Sequence, residues 1–226
     1  MRLLSNEPET PTTRIIRVAL DGAAFSYRAG QAASVGTGRG ELTPYSIASA
    51  PFETARNHWL EFLIKVDGSS RFGARVADLN PGTIITIGEP IGSLVLPDSR
   101  RNAPLLFIAG GTGIAPMRSM VREALHAKWP GRLALVYSAR TPQEFAYLDE
   151  LRTLQEDGRL ALTLTLTGNA DQWNHARGRT SAVHLSELVT SDSTCFLCGP
   201  PAMVREVPEA LISLGLPRDQ IRTENW

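Results

Sequence analysis

A glycine-rich turn between an apolar run and a helical pattern is the segment of this sequence best suited to chemistry. It occupies residues 110–116 and reads GGTGIAP. Because glycine lacks a Cβ, neighbouring glycines let the chain turn sharply and let a phosphate approach the backbone amides. The helix that follows offers unpaired N–H groups and a favourable dipole for an anion. Glycine-rich turns also occur without ligands, and this spacing differs from G-x-G-x-x-G, so the turn alone leaves both interpretations open.

Three other short segments combine residue types that can contact a ligand. Residues 43–49, TPYSIAS, place an aromatic ring beside a hydroxyl, although such a pair is more often part of an ordinary strand. Residues 198–203, CGPPAM, follow a predicted strand and begin a predicted helix. Residues 224–226 end on an indole, which needs an apolar surface to lie on.

Composition and charge argue against several classes of function. The 226 residues include 23 basic and 23 acidic side chains, so binding to nucleic acid through phosphate neutralisation is not expected. The two cysteines and four histidines form no second ligand pair at metal spacing, and we expect no metal or iron–sulfur site. No apolar stretch has the roughly 18 residues of a membrane span, and none has the form of a signal peptide, so the expected location is the cytoplasm.

The chain changes its pattern near residue 100. Before it, short β-branched or aromatic runs separated by turns predict antiparallel strands of a barrel, with one short helix over 71–79. After it, apolar strands alternate with helical segments, beginning with strand 104–109 and helix 115–128, which predicts a doubly wound parallel sheet. We therefore expect two domains, residues 1–100 and 101–226, joined by the polar stretch 97–102.

Taken together and in this order, the four segments resemble the signatures of the ferredoxin–NADP reductase superfamily. Those signatures are R-x-Y-[ST], G-G-T-G-x-[AT]-P, C-G-P-x-x-M and, in several branches, a terminal E-x-aromatic. The resemblance extends from residue 28 to the last residue. It implies a flavin-binding barrel followed by a nicotinamide-binding α/β domain, without a fused iron–sulfur domain.

The resemblance implies a set of flavin-binding residues in the first half. Tyr45 would lie against the isoalloxazine ring and Ser46 would hydrogen-bond near its reactive nitrogen, with the neighbouring residues along the flavin. The set is Thr43, Pro44, Tyr45, Ser46, Ile47, Ala48 and Ser49, together with the phosphate element Gly68, Ser69 and Ser70. Thr43 stands where the family has arginine, which removes a charge-assisted hydrogen bond to the flavin phosphate. Arg39 or Arg71 could replace it, or the flavin is held weakly.

In the second half, the resemblance implies a nicotinamide site. The expected cofactor-binding residues are Gly111, Thr112, Gly113, Arg140, Cys198 and Gly199. Cys198 would position the nicotinamide ring by packing, because no nearby His or Lys would activate it as a nucleophile. Trp226 would stack over the flavin, and Glu224 would lie near Ser46 and assist proton supply. Ser46, Cys198, Glu224 and Trp226 are thus the expected catalytic residues.

The implied reaction is hydride transfer from NADPH or NADH to FAD or FMN, followed by electron transfer to a separate acceptor. The acceptor would be a ferredoxin or an oxygenase component, and a basic patch containing Arg71, Arg75 and Arg118 would suit it. Two alternatives stay open. One is a flavin reductase that releases reduced flavin, which the missing arginine favours; the other is a non-catalytic nucleotide-binding regulatory subunit.

Overall fold

The first half of the chain forms two antiparallel three-stranded sheets. The computed structural model describes residues 1–38, 42–66, 71–98, 102–168 and 173–224. The strands are β1 (Leu3–Thr10), β2 (Thr13–Ala19), β3 (Ala32–Gly36), β4 (Thr43–Ser46), β5 (Trp59–Lys65) and β6 (Thr86–Ile91). One sheet has the order β1-β2-β5 and the other β4-β3-β6.

Backbone hydrogen bonds join these two sheets at both edges, so that the strands surround one core. At one junction Leu3 N donates to Thr83 O at 2.9 Å. At the other, Ala48 N donates to Glu61 O at 2.8 Å, beside a bridge between Ile47 and Phe62. Alternate residues fill the interior, as the two-residue period of a strand requires; they include Ile16, Val18, Val35, Leu60, Phe62, Ile64 and Ile85. The predicted antiparallel barrel is confirmed.

Two short helices accompany the barrel, and only one was expected. Helix α1 (Pro51–Asn57) starts with proline, which tolerates the first helical position, and Glu53 Oε2 accepts from Ala50 N at 2.9 Å. Helix α2 (Arg71–Val76) is shorter than the predicted span. Strand β1 was also not anticipated, because residues 3–10 are mostly polar and lack the alternation that marks a strand.

The second half is a parallel sheet covered by helices on both faces, as predicted. Its strands have the order β10-β9-β8-β7-β11-β12. The elements are β7 (Leu105–Gly110), α3 (Ile114–His126), β8 (Leu133–Ala139), α4 (Leu148–Glu156), β9 (Ala161–Leu166), β10 (Ala176–Arg177), α5 (Ala182–Leu185), β11 (Thr194–Cys198), α6 (Pro201–Ser213) and β12 (Ile221–Glu224). Helix α4 begins three residues later than predicted, because Tyr147 has left-handed backbone angles with φ 58°.

The strand order reverses between β7 and β11. From β7 the chain proceeds through β8 and β9 to one edge, and it then returns to place β11 on the other side of β7. In open α/β sheets, ligands bind outside the carboxyl ends of the strands at such a switch point. The glycine turn at 111–113 and the segment after Cys198 both leave the sheet there.

The two halves share one apolar cluster. On the outer face of the barrel Ile15 and Leu63, which are register partners, belong to the same buried cluster as Phe107 and Met117 of the second half. The division at residue 100 stays a prediction, since residues 99–101 lie outside the described part of the chain. In that part, no helix is long and apolar enough to cross a membrane.

Gly30 lies where the barrel meets α3, and its replacement tests this packing. Its φ is +99°, and a Cβ there would overlap the carbonyl oxygen of Leu94 and lie 3.0 Å from Met120 Sδ. Gly22 also has a positive φ, +82°, but has open space around it. We expect Gly30→Ala to lower the free energy of unfolding by about 2–4 kcal/mol and Gly22→Ala by only about 1 kcal/mol, measured by urea unfolding. Equal losses would mean that Gly30 is not tightly packed.

Candidate functional site

The glycine turn opens toward solvent at the carboxyl end of β7. Gly111 is exposed, has φ +56°, and has no atom within 4 Å of the position that a Cβ would occupy. Thr112 is half-buried, and α3 begins at Ile114 with no side-chain cap on its first turn. Positive φ is disfavoured for residues with a side chain. The turn therefore presents backbone N–H groups beside open space, as an anion site requires.

Two other glycines bring the turn against the segment that follows β11. A Cβ at Gly113 would overlap the carbonyl oxygen of Cys198. A Cβ at Gly199 would lie 2.7 Å from Met203 Sδ and 3.2 Å from Gly110 N. The backbones of the two segments are thus in direct contact, and the predicted nicotinamide residues 111–113 and 198–199 lie together.

Tyr137 supports the turn from below, and the sequence did not identify it. This fully buried residue of β8 donates from its hydroxyl to Gly111 O at 3.1 Å and accepts from Ala146 N at 3.2 Å. Burial raises the pKa of the Tyr137 phenol well above its ordinary value. The signal in the sequence was a tyrosine hydroxyl in a mostly apolar strand, because such a hydroxyl needs a partner when buried.

The barrel segment 43–49 divides into an accessible part and a buried part. Thr43, Pro44 and Tyr45 are half-buried, and the Tyr45 ring lies 5.9 Å from the Phe72 ring of α2. Ser46 is 7% exposed.

The backbone of the next three predicted flavin residues, 47–49, forms hydrogen bonds within the protein. Ile47 N donates to Gln31 O at 2.9 Å, the Ala48 carbonyl accepts from Arg118, and the Ser49 carbonyl accepts from Ser119. The Ala48 and Ser49 carbonyls thus bind the second half of the chain. A contact of residues 47–49 with a flavin stays a prediction.

Glu224 lies between the sheet and the barrel. Its register partner in β11 is Cys198, and its Oε1 lies 2.9 Å from where a Cβ would stand on Gly92, one residue beyond β6. Gly92 O accepts from Gln31 Nε2 at 3.1 Å. Ala32, which follows Gln31, is the register partner of Ser46. Glu224 and Ser46 thus lie at the same edge of the barrel, and a direct contact between them stays a prediction.

The two cysteines cannot act as a redox pair in this fold. Cys195 belongs to the apolar cluster on the α6 side of the sheet, and Cys198 to the cluster on the α3 side. Burial raises the pKa of Cys198 to about 12, with a smaller contribution from Glu224. Burial also raises the pKa of Cys195 well above its ordinary value. These protonated thiols agree with a packing role for Cys198.

The predicted arginines differ in their surroundings. Arg140 is exposed at the carboxyl end of β8, and its backbone N–H donates to Glu144 Oε2 at 3.2 Å. Arg71 and Arg75 are exposed on α2. Arg118 is not part of a surface patch, contrary to expectation: it is 8% exposed and bonds to carboxylates between the two halves. Gly68, Ser69, Ser70, Arg39 and Trp226 lie outside the described residues.

Comparison with known proteins identifies the family. Residues 107–209 match the family model described as "Oxidoreductase NAD-binding domain". Ferredoxin–NADP reductase B of Sorangium cellulosum is 33% identical and is aligned over 100% of this chain and 96% of its own length. This chain belongs to the ferredoxin–NADP reductase superfamily. It is accordingly an NAD(P)H-dependent oxidoreductase, which leaves no support for the alternative of a non-catalytic subunit.

Another relative agrees with that family, and two solved structures share the fold. Reductase component 1 of terephthalate 1,2-dioxygenase from Comamonas sp. is 28% identical over 95% of this chain, which spans 64% of that protein. The ferredoxin NADP⁺ reductase of Neisseria gonorrhoeae, solved with bound FAD and NADP, covers 99% of this chain and 96% of its own with a TM-score of 0.84 and 21% identity. The Amycolatopsis cytochrome P450 reductase GcoB has a TM-score of 0.88 and 22% identity over 99% of this chain and 68% of its own.

The raised thiol pKa values predict slow chemical modification. A thiol with pKa about 12 has a thiolate fraction at pH 8 that is about a thousandfold smaller than that of an ordinary cysteine. We expect a colorimetric disulfide reagent at pH 8 to label neither cysteine of the native protein promptly and both cysteines after unfolding in guanidinium chloride. Prompt labelling of the native protein at Cys198 would contradict its burial.

Proposed function

We propose that this chain takes electrons from NAD(P)H, passes them through an FAD bound at the barrel edge, and delivers them to a separate acceptor protein. The acceptor would be a ferredoxin or the oxygenase component of a multicomponent system. One observation carries the proposal: the open glycine turn at the switch point is in backbone contact with the Cys198–Gly199 segment. From the strand paired with that segment, Glu224 extends to the barrel edge.

The nicotinamide half has the groups that a dinucleotide needs. The space around Gly111 is open, so a pyrophosphate can approach the N–H groups of residues 111–113 and the start of α3. Cys198 and Gly199 would border the nicotinamide, and the exposed Arg140 would contact the adenosine end. Tyr137 holds the Gly111 carbonyl and so fixes the shape of the turn before the substrate binds.

The barrel half has groups that fit a flavin. The accessible Tyr45 ring can stack on an isoalloxazine ring, which stabilises binding by about 0.5–1.5 kcal/mol beyond area burial. Ser46 carries a hydroxyl that can donate or accept as a ring nitrogen changes its protonation. The flavin phosphates would be held by the element Gly68–Ser70, and the ring of Trp226 would cover the flavin.

When bound, the flavin would supply the redox chemistry, accepting two electrons as hydride and releasing them singly. The protein's residues would align the nicotinamide with the flavin and exclude water, and none of them would act as a nucleophile. Glu224 would hold a proton near Ser46, and Cys198 would keep the nicotinamide ring in place by packing. These roles support two proposed domains, residues 1–100 for flavin and 101–226 for NAD(P)H.

The names of the relatives support a separate acceptor. They include a ferredoxin–NADP reductase and the reductase components of terephthalate and naphthalene dioxygenase systems. This chain spans 64–65% of those two dioxygenase reductases. We propose that the electrons pass to a separate ferredoxin or oxygenase component, and that the exposed Arg71 and Arg75 of α2 contribute to its docking.

A visible absorption spectrum before and after desalting tests the proposal. We expect the purified protein to keep a yellow flavin spectrum, which NAD(P)H bleaches without added flavin and which a ferredoxin restores. Extraction of the bound chromophore then distinguishes FAD from FMN by mass. A desalted protein that binds neither flavin nor NAD(P)H would contradict the proposal.

One observation favours a second candidate, a flavin reductase. Thr43 stands at the position of the family's arginine, so a charge-assisted bond of about 1.5–3 kcal/mol to the flavin phosphate is missing there. Arg71 can compensate, because the contact between Tyr45 and Phe72 brings α2 beside the segment. In this second case the desalted protein would be colourless and would oxidise NAD(P)H only when flavin is added.

Substitution of Gly111 tests the dinucleotide site. In Gly111→Val the side chain would enter the open space through which a pyrophosphate approaches, and we expect the KM for NAD(P)H to rise at least about tenfold. Gly158→Val is the matched control, because Gly158 also has positive φ (+68°) and open surroundings but follows α4. It should lose stability yet keep its KM. Equal KM values in both variants would place the dinucleotide elsewhere.

A further inference from the structure

We propose that Arg118 is a positioning residue that fixes the helix of the glycine turn against the segment following Tyr45 and Ser46. Through that contact it would set the alignment of the nicotinamide with the flavin. The inference rests on the proposed function and adds to it a residue that lies outside both ligand sites.

The side chain of Arg118 connects the helix that follows the glycine turn with the barrel segment that follows Ser46. It belongs to the second turn of α3, shortly after Gly113. Its Nη1 donates to the Ala48 carbonyl at 2.9 Å. Next to it, Ser119 Oγ donates to the Ser49 carbonyl at 2.7 Å. Two successive residues of α3 therefore hold two successive carbonyls of the proposed flavin segment.

Three glutamates from different elements hold the Arg118 guanidinium in place. Its Nη1 lies 3.1 Å from Glu53 Oε2 of α1 and 3.7 Å from Glu61 Oε1 of β5. Its Nε lies 2.8 Å from Glu150 Oε2 of α4. Its Cζ lies 4.9 Å from the centroid of the Tyr147 ring. Burial lowers the pKa of Arg118, but the carboxylates raise it above its ordinary value, so the side chain stays charged.

Two further arginines balance the charge of this cluster without making the same contact. Arg122 Nε lies 2.9 Å from Glu53 Oε1 and 3.5 Å from Glu150 Oε1. Arg17 Nε lies 2.8 Å from Glu61 Oε2. Three arginines thus face three glutamates. Within the described residues, Arg118 alone of the three donates to the backbone of segment 47–49.

The geometry of the guanidinium explains why Arg118 would determine the relative position of its partners and not only the stability of the fold. A buried ion pair often contributes no more stability than apolar residues of similar volume would. A planar guanidinium, however, donates in several fixed directions at once, which a lysine ammonium cannot reproduce. Arg118 uses this fork to fix Ala48, Glu53 and Glu150 relative to one another.

Arg118→Lys and the matched control Arg122→Lys separate positioning from stability. Both keep the charge of the same cluster on the same helix. Three quantities are measured in full-length protein: flavin reduction at saturating NAD(P)H by stopped flow, the dissociation constant of NAD(P)⁺, and hydrogen exchange of amides 47–49. For Arg118→Lys we expect the reduction rate to fall at least about tenfold, because a displacement near 1 Å can cost about a hundredfold.

The same variant should bind NAD(P)⁺ with nearly unchanged affinity, since Arg118 does not line the glycine turn, and should exchange amides 47–49 faster. Arg122→Lys should match the wild type in all three within about twofold. The inference is overturned if the two variants lose rate equally, or if Arg118→Lys weakens NAD(P)⁺ binding while its saturated rate is unchanged.

Two controls keep the result interpretable. If Arg118→Lys does not fold, Ser119→Ala takes its place, because it removes the neighbouring hydrogen bond to the Ser49 carbonyl. Ser119→Ala should slow flavin reduction and speed the exchange of amides 47–49, both to a smaller extent than expected for Arg118→Lys. If neither the reduction rate nor the exchange changed, the inference would be overturned. Failure of the proposed function is recognised separately, because the wild-type protein itself would then reduce no flavin with NAD(P)H.

Discussion

The constraint on which the site depends is the direct backbone contact between two turns at the carboxyl edge of the parallel sheet. Gly113 lies against the Cys198 carbonyl, and Gly199 lies close to Gly110 N. Any side chain at Gly113 would force the turns apart, since it would meet backbone that has nowhere to move. Because the turns follow neighbouring strands β7 and β11, this contact places the open amides of one beside the buried thiol of the other. The remaining features of the second half, including Tyr137 beneath the turn, keep that arrangement rigid.

The connection to the barrel is made by a different kind of interaction. Around the shared apolar cluster, long charged side chains of α3 reach carboxylates of α1 and β5 in the first half and of α4 in the second half. Glu53 has two functions there, since it accepts from Ala50 N at the start of α1 and also binds two arginines. A short helix of seven residues therefore becomes part of the joint between the halves. Such a joint specifies one orientation, whereas a purely apolar surface would tolerate sliding.

The sequence was most informative where one local pattern determines structure. The apolar run before Gly110 predicts a buried strand because a strand covered on both faces needs apolar residues throughout. The glycines predict a turn because glycine adopts a positive φ without strain, as Gly111 does, and allows close approach of another backbone, as Gly113 does. Arg118 was misplaced because its burial depends on three glutamates that are distant along the chain, and no local pattern reports such compensation. Strand β1 was missed for a different reason: its residues are mostly polar and lack the alternation of a strand, although it pairs with β2, which follows it directly. The mutual contact of Gly113 and Cys198 was visible only in the fold.

The charges differ between the barrel segment proposed to bind flavin and the joint between the two halves. Position 43 carries a neutral threonine, so the accessible part of the barrel segment brings no cation of its own. The buried joint, by contrast, holds three arginines against three glutamates and is neutral as a group. A neutral joint adds little long-range field at the site, and its arginines are already saturated by carboxylates. Under the proposed function, an anionic ligand is bound by backbone amides and by exposed cations such as Arg140, while the buried Arg118 serves alignment. The two proposals thus assign binding and alignment to separate sets of residues.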